Sequence, residues 1–332
     1  MRKTLICGLA LAIFSLPAAY AENSIISNNH PISAEANWGF KKLTGSGKII
    51  EKEVALTKAY SQIEACKAVN VIIEDRTNDK VVIQADDNVM QYVVCKIESG
   101  KLVAKISDEI GSLTNINVNI YLPKNEAIKK IKTSSAGNVT IYPAIKSSSL
   151  EISASSAGKV KISSAEVEAL NIDASSAANV GGTYAVSGAC EIDASSAARV
   201  EIELTAKDVE CDASSSANII LSGSAEVLEA DASSAGDIKA SKFVVAVADA
   251  EASSGADIYI NATKRISAQA SSGGDVRYAG SATDIYRNAS SGGSVKKMYD
   301  NIYPQLKNKI KVIEHGFDKQ NDVREKQYIA PE

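Results

Sequence analysis

The sequence predicts an all-β fold, a right-handed parallel β-helix (solenoid) with about 20 residues per coil. The first observation behind this prediction is a Ser-Ser pair that recurs at intervals of 18 to 21 residues. The nine pairs begin at Ser134, Ser155, Ser175, Ser195, Ser214, Ser233, Ser253, Ser271 and Ser290. A fixed period near 20 residues is typical of solenoids, in which each unit buries its apolar face only by stacking on the next unit.

The second observation is that apolar residues recur at fixed positions around each pair, counted here from its first serine as position 0. Positions −5, −3 and −1 are apolar in most repeats, and position +5 is Val or Ile in every repeat. The residues at position +5 are Val139, Val160, Val180, Val200, Ile219, Ile238, Ile258, Val276 and Val295. Alternation with a period of two indicates strands with one buried face. Each repeat is therefore predicted to contain a strand, a corner at the Ser-Ser pair and a second strand.

The repeats also predict how the coils are built. Nine coils spaced about 4.8 Å apart would form a stack about 40 Å long, and strand twist and crossover preference favour right-handed coiling. Gly and Asn at positions +2 to +4 are expected to supply the positive φ of a sharp bend. The corner serines are expected to exchange hydroxyl hydrogen bonds from coil to coil. Because only 5% of the residues are aromatic, the core should consist of small and β-branched side chains.

The rest of the chain differs from the repeats in composition. Residues 1–21 have a basic start, an apolar run and a small-residue cleavage site, which predicts a secretory signal peptide. Residues 22–45 are polar and are predicted to be a flexible leader. Residues 46–130 alternate as strands and lead into the β-helix of residues 131–295, whereas residues 296–332 are expected to cover its open end and form a tail. Export to the periplasm or the cell surface follows from the signal peptide.

Four cysteines remain after removal of the signal peptide: Cys66, Cys95, Cys190 and Cys211. An even number of cysteines in an exported chain allows disulfides, and buried free thiols are the alternative. Cys190 and Cys211 occupy inward positions −5 and −3 of adjacent coils. Such diagonal neighbours lie about 7 Å apart, which is long for a disulfide. These two thiols are therefore expected to be free, and Cys66 with Cys95 is the expected bridge.

Other features of the sequence disfavour several classes of function. The formal net charge of −4 becomes about −6 without the signal peptide, so no basic surface for nucleic acid is expected. His30 and His315 both lie outside the repeats, which leaves no histidine triad or zinc cluster on the coils. No stretch after the signal peptide is apolar and long enough to span a membrane as a helix.

A polysaccharide lyase or hydrolase is an alternative, because some β-helical proteins have such activities. Basic candidates for its catalytic groove are Lys264, Arg265, Arg277 and Arg287. The long inserted loops that would build such a groove are missing, because every interval between repeats is 18 to 21 residues. The protein is therefore predicted not to be an enzyme and to need no cofactor.

Acidic residues recur on the outward side of the first strand of each coil. Position −2 holds Asp173, Asp193, Asp212, Asp231 and Glu251, and position −4 holds Glu151, Asn171, Glu191, Glu210, Glu229 and Asp249. Stacking would align them in two columns, where neighbouring like charges repel by about 1 kcal/mol in water. A solvated face that keeps the protein soluble is one interpretation. The alternative hypothesis is that the position −2 carboxylates bind calcium weakly through oxygen ligands or dock a basic partner.

The N-terminal strands and the repeats together carry a resemblance to a known family. The relevant segments are Ile63-Glu64-Ala65, Lys80-Val81-Val82-Ile83, the Ser99-Gly100 turn and Ser134-Ser135-Ala136-Gly137-Asn138-Val139. Over about residues 46–295, the chain resembles the putative auto-transporter adhesins with a head GIN domain, which are exported bacterial β-helical proteins. The resemblance implies attachment, without catalysis, to a surface glycan, the matrix or a protein partner. A structural or assembly role in the cell envelope is the alternative.

Overall fold

A computed structural model of the protein describes residues 41–298 and has the predicted architecture, a parallel β-solenoid of about eight coils with about 20 residues per turn. The count of about eight coils is one lower than the nine expected from the nine Ser-Ser pairs. The predicted signal peptide, residues 22–40 of the predicted leader and the segment after residue 298 lie outside the described residues. Among residues 41–298, no helix is long and apolar enough to cross a membrane.

Nine strands and one 3₁₀ turn precede the Ser-Ser repeats. They are β1 (Lys41–Thr44), β2 (Ile49–Ala55), β3 (Gln62–Cys66), β4 (Asn70–Ile73), β5 (Lys80–Asp86), the 3₁₀ turn (Met90–Tyr92), β6 (Val93–Glu98), β7 (Lys101–Ile106), β8 (Ile110–Thr114) and β9 (Val118–Leu122). β1 pairs in parallel with β8, so the last residues of the expected leader form a strand.

Fourteen strands form the repeats. They are β10 (Lys130–Ser134), β11 (Asn138–Ile141), β12 (Ile145–Ala154), β13 (Lys159–Ala174), β14 (Asn179–Val186), β15 (Ala189–Ala194), β16 (Arg199–Thr205), β17 (Asp208–Ala213), β18 (Asn218–Ala232), β19 (Asp237–Ala252), β20 (Asp257–Ala270), β21 (Asp275–Ala279), β22 (Asp284–Ala289) and β23 (Ser294–Lys297). Each coil pairs in parallel with the next, and equivalent positions face each other, as Val180 and Val200 do.

The regular stack begins earlier in the chain than the Ser-Ser pairs do. β3 and β4 pair in register with β10 and β11, and Cys66 lies opposite Ser134. Lys67 and Ala68 have φ values of 54° and 58°, as in the serine corners. β7 and β9 stack on the other side of β3 and β4 although they come later in the chain. At the N-terminal end of the solenoid, the order of the strands in the stack therefore differs from their order in the chain.

Antiparallel strands close this N-terminal end. β5 pairs antiparallel with β2 and with β9, and β6 pairs antiparallel with β7. The carboxylate of Asp86 at the end of β5 is 1% exposed. It accepts hydrogen bonds from the main-chain amides of Gly47 (2.8 Å) and Asn117 (2.7 Å). This buried carboxylate holds two separate loops together, and the two amides offset the cost of removing its charge from water.

The core consists of stacked columns of small and β-branched side chains, as predicted. The residues at position +5 are at most 3% exposed from Val139 to Val276. The largest fully buried side chains include two aromatic ones, Tyr184 and Phe243. The ring of Tyr184 fills the space left by Gly182, where an added Cβ would lie 3.1 Å from the tyrosine ring. The large side chain of Tyr184 thus compensates for the missing side chain of Gly182, so the core of this coil stays filled.

The residues that bend the chain at the corners are not the ones that were expected. The positive φ falls on the second serine and the next residue, as in Ser156 (48°) and Ala157 (60°), rather than on Gly and Asn at positions +2 to +4 alone. Main-chain bonds hold this conformation: the amide of Ala157 donates to the carbonyl of Ser176 in the next coil at 2.9 Å. These bonds offset the strain of left-handed non-glycine residues.

The expected serine hydroxyl ladder is not observed. Within residues 41–298, the bonds that join one corner to the next are main-chain amide–carbonyl bonds. The side-chain hydrogen bonds found there do not include a corner serine hydroxyl as donor to another corner. Because the backbone already connects the corners, their hydroxyl groups are free to face outward.

The four cysteines within residues 41–298 are all free, so the expected Cys66–Cys95 bridge is wrong. Cys95 faces the core opposite Ala104, which in turn lies opposite Ala65. Cys66 follows Ala65 and therefore points to the other side of its strand, where it is half-buried in a corner. Opposite faces cannot be bridged without moving the backbone. The expectation that Cys190 and Cys211 are unpaired is confirmed.

The hydroxyl of Tyr184 is buried without a hydrogen-bond partner among the described residues, and burial raises its pKa. Tyr184→Phe should therefore increase the free energy of unfolding by about 1 kcal/mol, because it removes an unsatisfied polar group without changing the ring. Chemical denaturation measures the change. Tyr278→Phe is the matched control: that hydroxyl accepts a bond from Arg287 at 3.3 Å, so its loss should not stabilise the protein. Equal effects of the two variants would contradict the assignment.

Candidate functional site

The structure aligns the outward acidic residues in two columns, as the sequence predicts. At position −2, Asp173 lies opposite Asp193, Asp193 opposite Asp212, Asp212 opposite Asp231, and Asp231 opposite Glu251. The position −4 residues align in the same way from Glu151 to Asp249. The inward neighbours of these carboxylates are buried, so the strand pattern itself fixes the direction of the carboxylates.

The charge of this face changes along the solenoid. At its N-terminal end, Lys101 pairs with Glu64 and Lys130 pairs with Glu151, each at 2.6 Å. At its C-terminal end, Gln269 and Asn288 continue the position −2 column beyond Glu251. The unpaired negative charge is therefore concentrated in the middle coils, and the face ends in neutral amides.

A groove of about 360 Å³ lies beside the C-terminal half of the position −2 column. One wall consists of position −2 side chains and the other of position 0 serines. The lining side chains are Asp212, Asp231, Glu251, Gln269 and Asn288 on the first wall and Ser214, Ser233, Ser253, Ser271 and Ser290 on the second. The alanines at position −1 lie between the walls. The groove thus offers one carboxylate or amide and one hydroxyl per coil.

Three aspartates of the position −2 column, Asp193, Asp212 and Asp231, have pKa values raised above that of an ordinary aspartate. Partial burial, followed by the charges of Asp212 and Glu251, raises the pKa of Asp231 to about 6. Partial burial and then the neighbouring carboxylate of Asp212 raise the pKa of Asp193. Burial and the charge of Glu191 raise that of Asp212. Like charges stacked on a partly desolvated sheet disfavour ionisation, and a bound hydrogen-bond donor or cation would relieve that cost.

Metal binding is not prearranged in this face. Among residues 41–298, no group of three or more His, Cys, Asp or Glu side chains converges to hold a metal ion. Stacked carboxylates on adjacent strands point outward in parallel, whereas calcium needs six to eight oxygen atoms around one point. Calcium binding at Asp173, Asp193, Asp212, Asp231 and Glu251 stays a prediction.

The basic residues considered for a lyase site do not line the groove. Arg277 lies over the ring of Tyr259 at 5.2 Å and pairs with Asp275 at 3.1 Å. Arg265 lies 3.8 Å from Asp284. The buried thiols are also poor nucleophiles, since burial raises the pKa of Cys95 and of Cys190 to about 12. The groove itself is lined by carboxylates, amides and hydroxyl groups.

Two features of this face were missed in the sequence. The serines were assigned to bonding within the corners, yet they form a wall. Tyr286 occupies position −4 of the last repeat, opposite Ser267, and is 56% exposed beside Asn288. Extending the position numbering past Glu251 would have found it, because position −4 continues through Ser267 to Tyr286. An exposed aromatic ring at the end of a polar groove is a common stacking surface for ligands.

The pKa shift of Asp231 has a consequence for stability. An unfolded aspartate has a pKa of about 3.9, so between that value and about 6 the folded state binds more protons. The free energy of unfolding should therefore rise as the pH falls from about 7 to about 5. Asp231→Asn should be more stable than the parent at neutral pH and should have a smaller pH slope in this window.

The matched control for this measurement is Asp208→Asn. Asp208 also faces outward, but it stacks between Ala189 and Val227 and has no carboxylate above or below it. Its replacement should leave the pH slope unchanged in denaturation at each pH. A slope that is the same in the parent and in Asp231→Asn would contradict the proposed repulsion within the column.

The calcium hypothesis has its own test in thermal unfolding. If the columns bind calcium, calcium at about millimolar concentration should raise the melting temperature. Chelation should reverse the rise, and Asp193→Asn with Asp212→Asn should remove most of it, because both residues lie in mid-column. An unchanged melting temperature would leave the solvated face or a protein or glycan ligand.

Comparison with known proteins relates this geometry to a family. Residues 59–188 and 182–282 match the family described as putative auto-transporter adhesin, head GIN domain. The fold is similar to that of a putative adhesin from Parabacteroides merdae, with 19% identity, a TM-score of 0.61 and coverage of 78% of this chain and 99% of that chain. A putative lipid binding protein from Parabacteroides distasonis has 19% identity, a TM-score of 0.59 and coverage of 78% and 100%.

A putative adhesin from Parabacteroides distasonis is similar as well, with 18% identity, a TM-score of 0.56 and coverage of 78% of this chain and 100% of that chain. No curated protein matches the chain. At these identities the solved structures support the solenoid fold, whereas the family match covers more than half of the sequence. The chain therefore belongs to the family of the putative auto-transporter adhesins with a head GIN domain.

Proposed function

We propose that the protein is an exported, non-enzymatic adhesin-type protein that holds a glycan in the groove beside the position −2 column. The observation that carries the proposal is the repetition of the same two polar groups, one on each wall, in consecutive coils of the groove. A ligand made of repeating units can form the same contacts in each coil. The family match supports the adhesin-type role, and the predicted signal peptide supports export to the periplasm or the cell surface.

The chemistry of the walls favours a ligand rich in hydroxyl groups. Carboxylates accept hydrogen bonds and amides both donate and accept them, so the groove is complementary to sugar hydroxyls. Hydrogen bonds to a charged acceptor contribute about 1.5 to 3 kcal/mol. Tyr286 at the C-terminal end adds a ring on which the apolar face of a sugar can stack. Because the carboxylate wall is negatively charged, a polymer of neutral or amino sugars fits it better than a polymer of acidic sugars does.

The absence of a catalytic arrangement in the described part of the groove is consistent with binding alone. Glycoside hydrolysis needs two carboxyl groups on opposite sides of the bond that is cleaved. Here the carboxylates occupy one wall and the serines the other. We therefore propose attachment without cleavage.

A glycan array incubated with the purified chain tests the proposal, followed by affinity measurement with the best neutral ligand. Asp231→Asn should weaken binding about tenfold, which corresponds to the loss of one charge-assisted hydrogen bond. Glu229→Gln is the matched control, because Glu229 lies in the same strand at position −4 and does not line the groove. Its affinity should stay near that of the parent.

Two results would overturn the groove as the binding site. One is binding that Asp231→Asn and Glu229→Gln weaken equally, which would indicate a general charge effect. The other is the lack of any glycan ligand, which would favour the structural role in the envelope. Analysis of the reaction mixture for shortened oligosaccharides tests the non-enzymatic part, since their appearance with time would contradict it.

A further inference from the structure

A second depression, of about 470 Å³, lies on the other outward face, formed by the second strands of three adjacent coils. The strands are β13, β14 and β16, and the depression shares no lining residue with the acidic groove. Its lining includes Lys159, Lys161, Asn179, Gly181, Arg199 and Glu201. Three cationic side chains and one carboxylate give the depression a net positive charge, which is opposite in sign to the charge of the groove.

The depression exists because one coil lacks an outward side chain at position +6. Lys161, Gly181 and Glu201 lie opposite one another in consecutive coils, so the glycine leaves a gap between two long side chains. The backbone does not require a glycine here. A Cβ added to Gly181 would meet only the carbonyl oxygen of Glu201, at 3.4 Å, and its φ is not in the left-handed region.

The next residue shows the contrast. A Cβ added to Gly182 would lie 2.4 Å from the carbonyl oxygen of Ile162 and 3.1 Å from the ring of Tyr184. Gly182 is thus needed for packing, whereas nothing in the described structure demands a glycine at position 181. The missing side chain has its visible effect outside the core, where it opens the surface of the sheet between the coils.

The cations around the gap are arranged differently from those elsewhere on this face. In three other coils, positions +4 and +6 form an internal ion pair: Arg199 with Glu201 at 2.8 Å, Asp237 with Lys239 at 2.9 Å, and Asp275 with Arg277 at 3.1 Å. In the coil next to the gap, both positions are cationic, Lys159 and Lys161. Within residues 41–298, no carboxylate lies within 4 Å of either ammonium group.

Lys159 and Lys161 lie on the same strand and repel each other. Arg199 adds a third positive charge one coil beyond the gap. The Arg199 guanidinium is offset by Glu201, which leaves about two charges uncompensated. An anion seated beside Gly181 would have Lys159 and Lys161 on one side, and the Arg199–Glu201 ion pair on the other. Charge-assisted bonds of this kind are about twice as strong as neutral ones.

We propose that this depression binds an acidic sugar unit through its carboxylate or sulfate group. The anionic group lies against Lys159 and Lys161, on the side of Gly181 away from the Glu201 carboxylate. The remaining volume accommodates the sugar ring against the glycine surface, since the depression falls within the usual range of about 300 to 1,000 Å³ for ligand sites. The Asn179 amide beside it supplies a hydrogen bond for a ring hydroxyl. The site is independent of the glycan groove and does not rest on the function proposed for that groove.

Calorimetric titration of the purified chain tests the site with three probes: an oligosaccharide of uronic acid, the neutral oligosaccharide of matched length, and inorganic sulfate. We expect the acidic oligosaccharide to bind at least about tenfold more tightly than either of the others. We also expect its affinity to fall as salt is added, because exposed charges are screened. Equal binding of the acidic and neutral sugars would overturn the proposal. Sulfate that binds as tightly as the acidic sugar would overturn the sugar part and leave a simple anion site.

Two variants locate the binding. Gly181→Gln fills the gap without touching the core and should reduce the affinity for the acidic oligosaccharide by about tenfold or more. Lys161→Gln should reduce it to a similar extent and should not lower the melting temperature, because it removes a like-charge neighbour. Thr140→Gln is the control: it enlarges the side chain in the same column, one coil beyond Lys161, and should leave binding unchanged.

Thermal unfolding shows whether each variant folds. If one variant does not fold, the other still tests the site. Full binding by a folded Gly181→Gln or Lys161→Gln protein would overturn the assignment of the site. Asp231→Asn in the groove should leave binding of the acidic oligosaccharide unaffected. The proposals for the two surfaces can therefore be tested separately.

Discussion

Parallel in-register stacking is the constraint on which the rest of this structure depends. Each residue lies about 4.8 Å from its equivalent in the next coil, so a choice made at one position is repeated along the whole solenoid. Inside, this constraint favours columns of Val, Ile and Ala, because identical small side chains stack without gaps. At the corners, the amide-to-carbonyl bonds between coils hold serine and alanine in left-handed conformations that would otherwise be disfavoured. The sequence repeats because the hydrogen-bonded geometry repeats.

The same constraint explains how much could be predicted. The Ser-Ser interval and the position +5 residues sufficed for the fold, the inward columns and the acidic columns, because register follows from spacing alone. The first corner was missed because Cys66-Lys67-Ala68 adopts the corner geometry without the serine signature. The cysteine pairing failed because the side of the strand on which Cys66 lies depends on a pairing that runs out of chain order. Spacing carries no information about such order, nor about the space that Gly181 leaves open.

Outside the core, stacking turns single charges into columns, and here the fold tolerates a cost that it could avoid. Partial burial, followed by the charges of the neighbouring carboxylates, raises the pKa of Asp231 to about 6, although neutral residues would stack equally well on a solvated face. On the other outward face, three coils avoid this cost by placing an acid and a base two residues apart. The strand with Lys159 and Lys161 does not. The uncompensated charges lie beside the groove and beside the gap. These are the places where a bound ligand can stabilise the folded protein most.

The two surfaces can coexist because a solenoid transmits local changes only to adjacent coils. The ring of Tyr184 fills the space left by the missing side chain of Gly182 within the same coil, and β14 pairs in register with β16. In a globular core, a similar loss of volume would spread through contacts in all directions. Here the position −2 column continues from Asp173 through Asp193 to Asp212, past the coil whose other face carries the gap. Binding features can therefore be placed on one face of one coil while the stack that supports them stays the same.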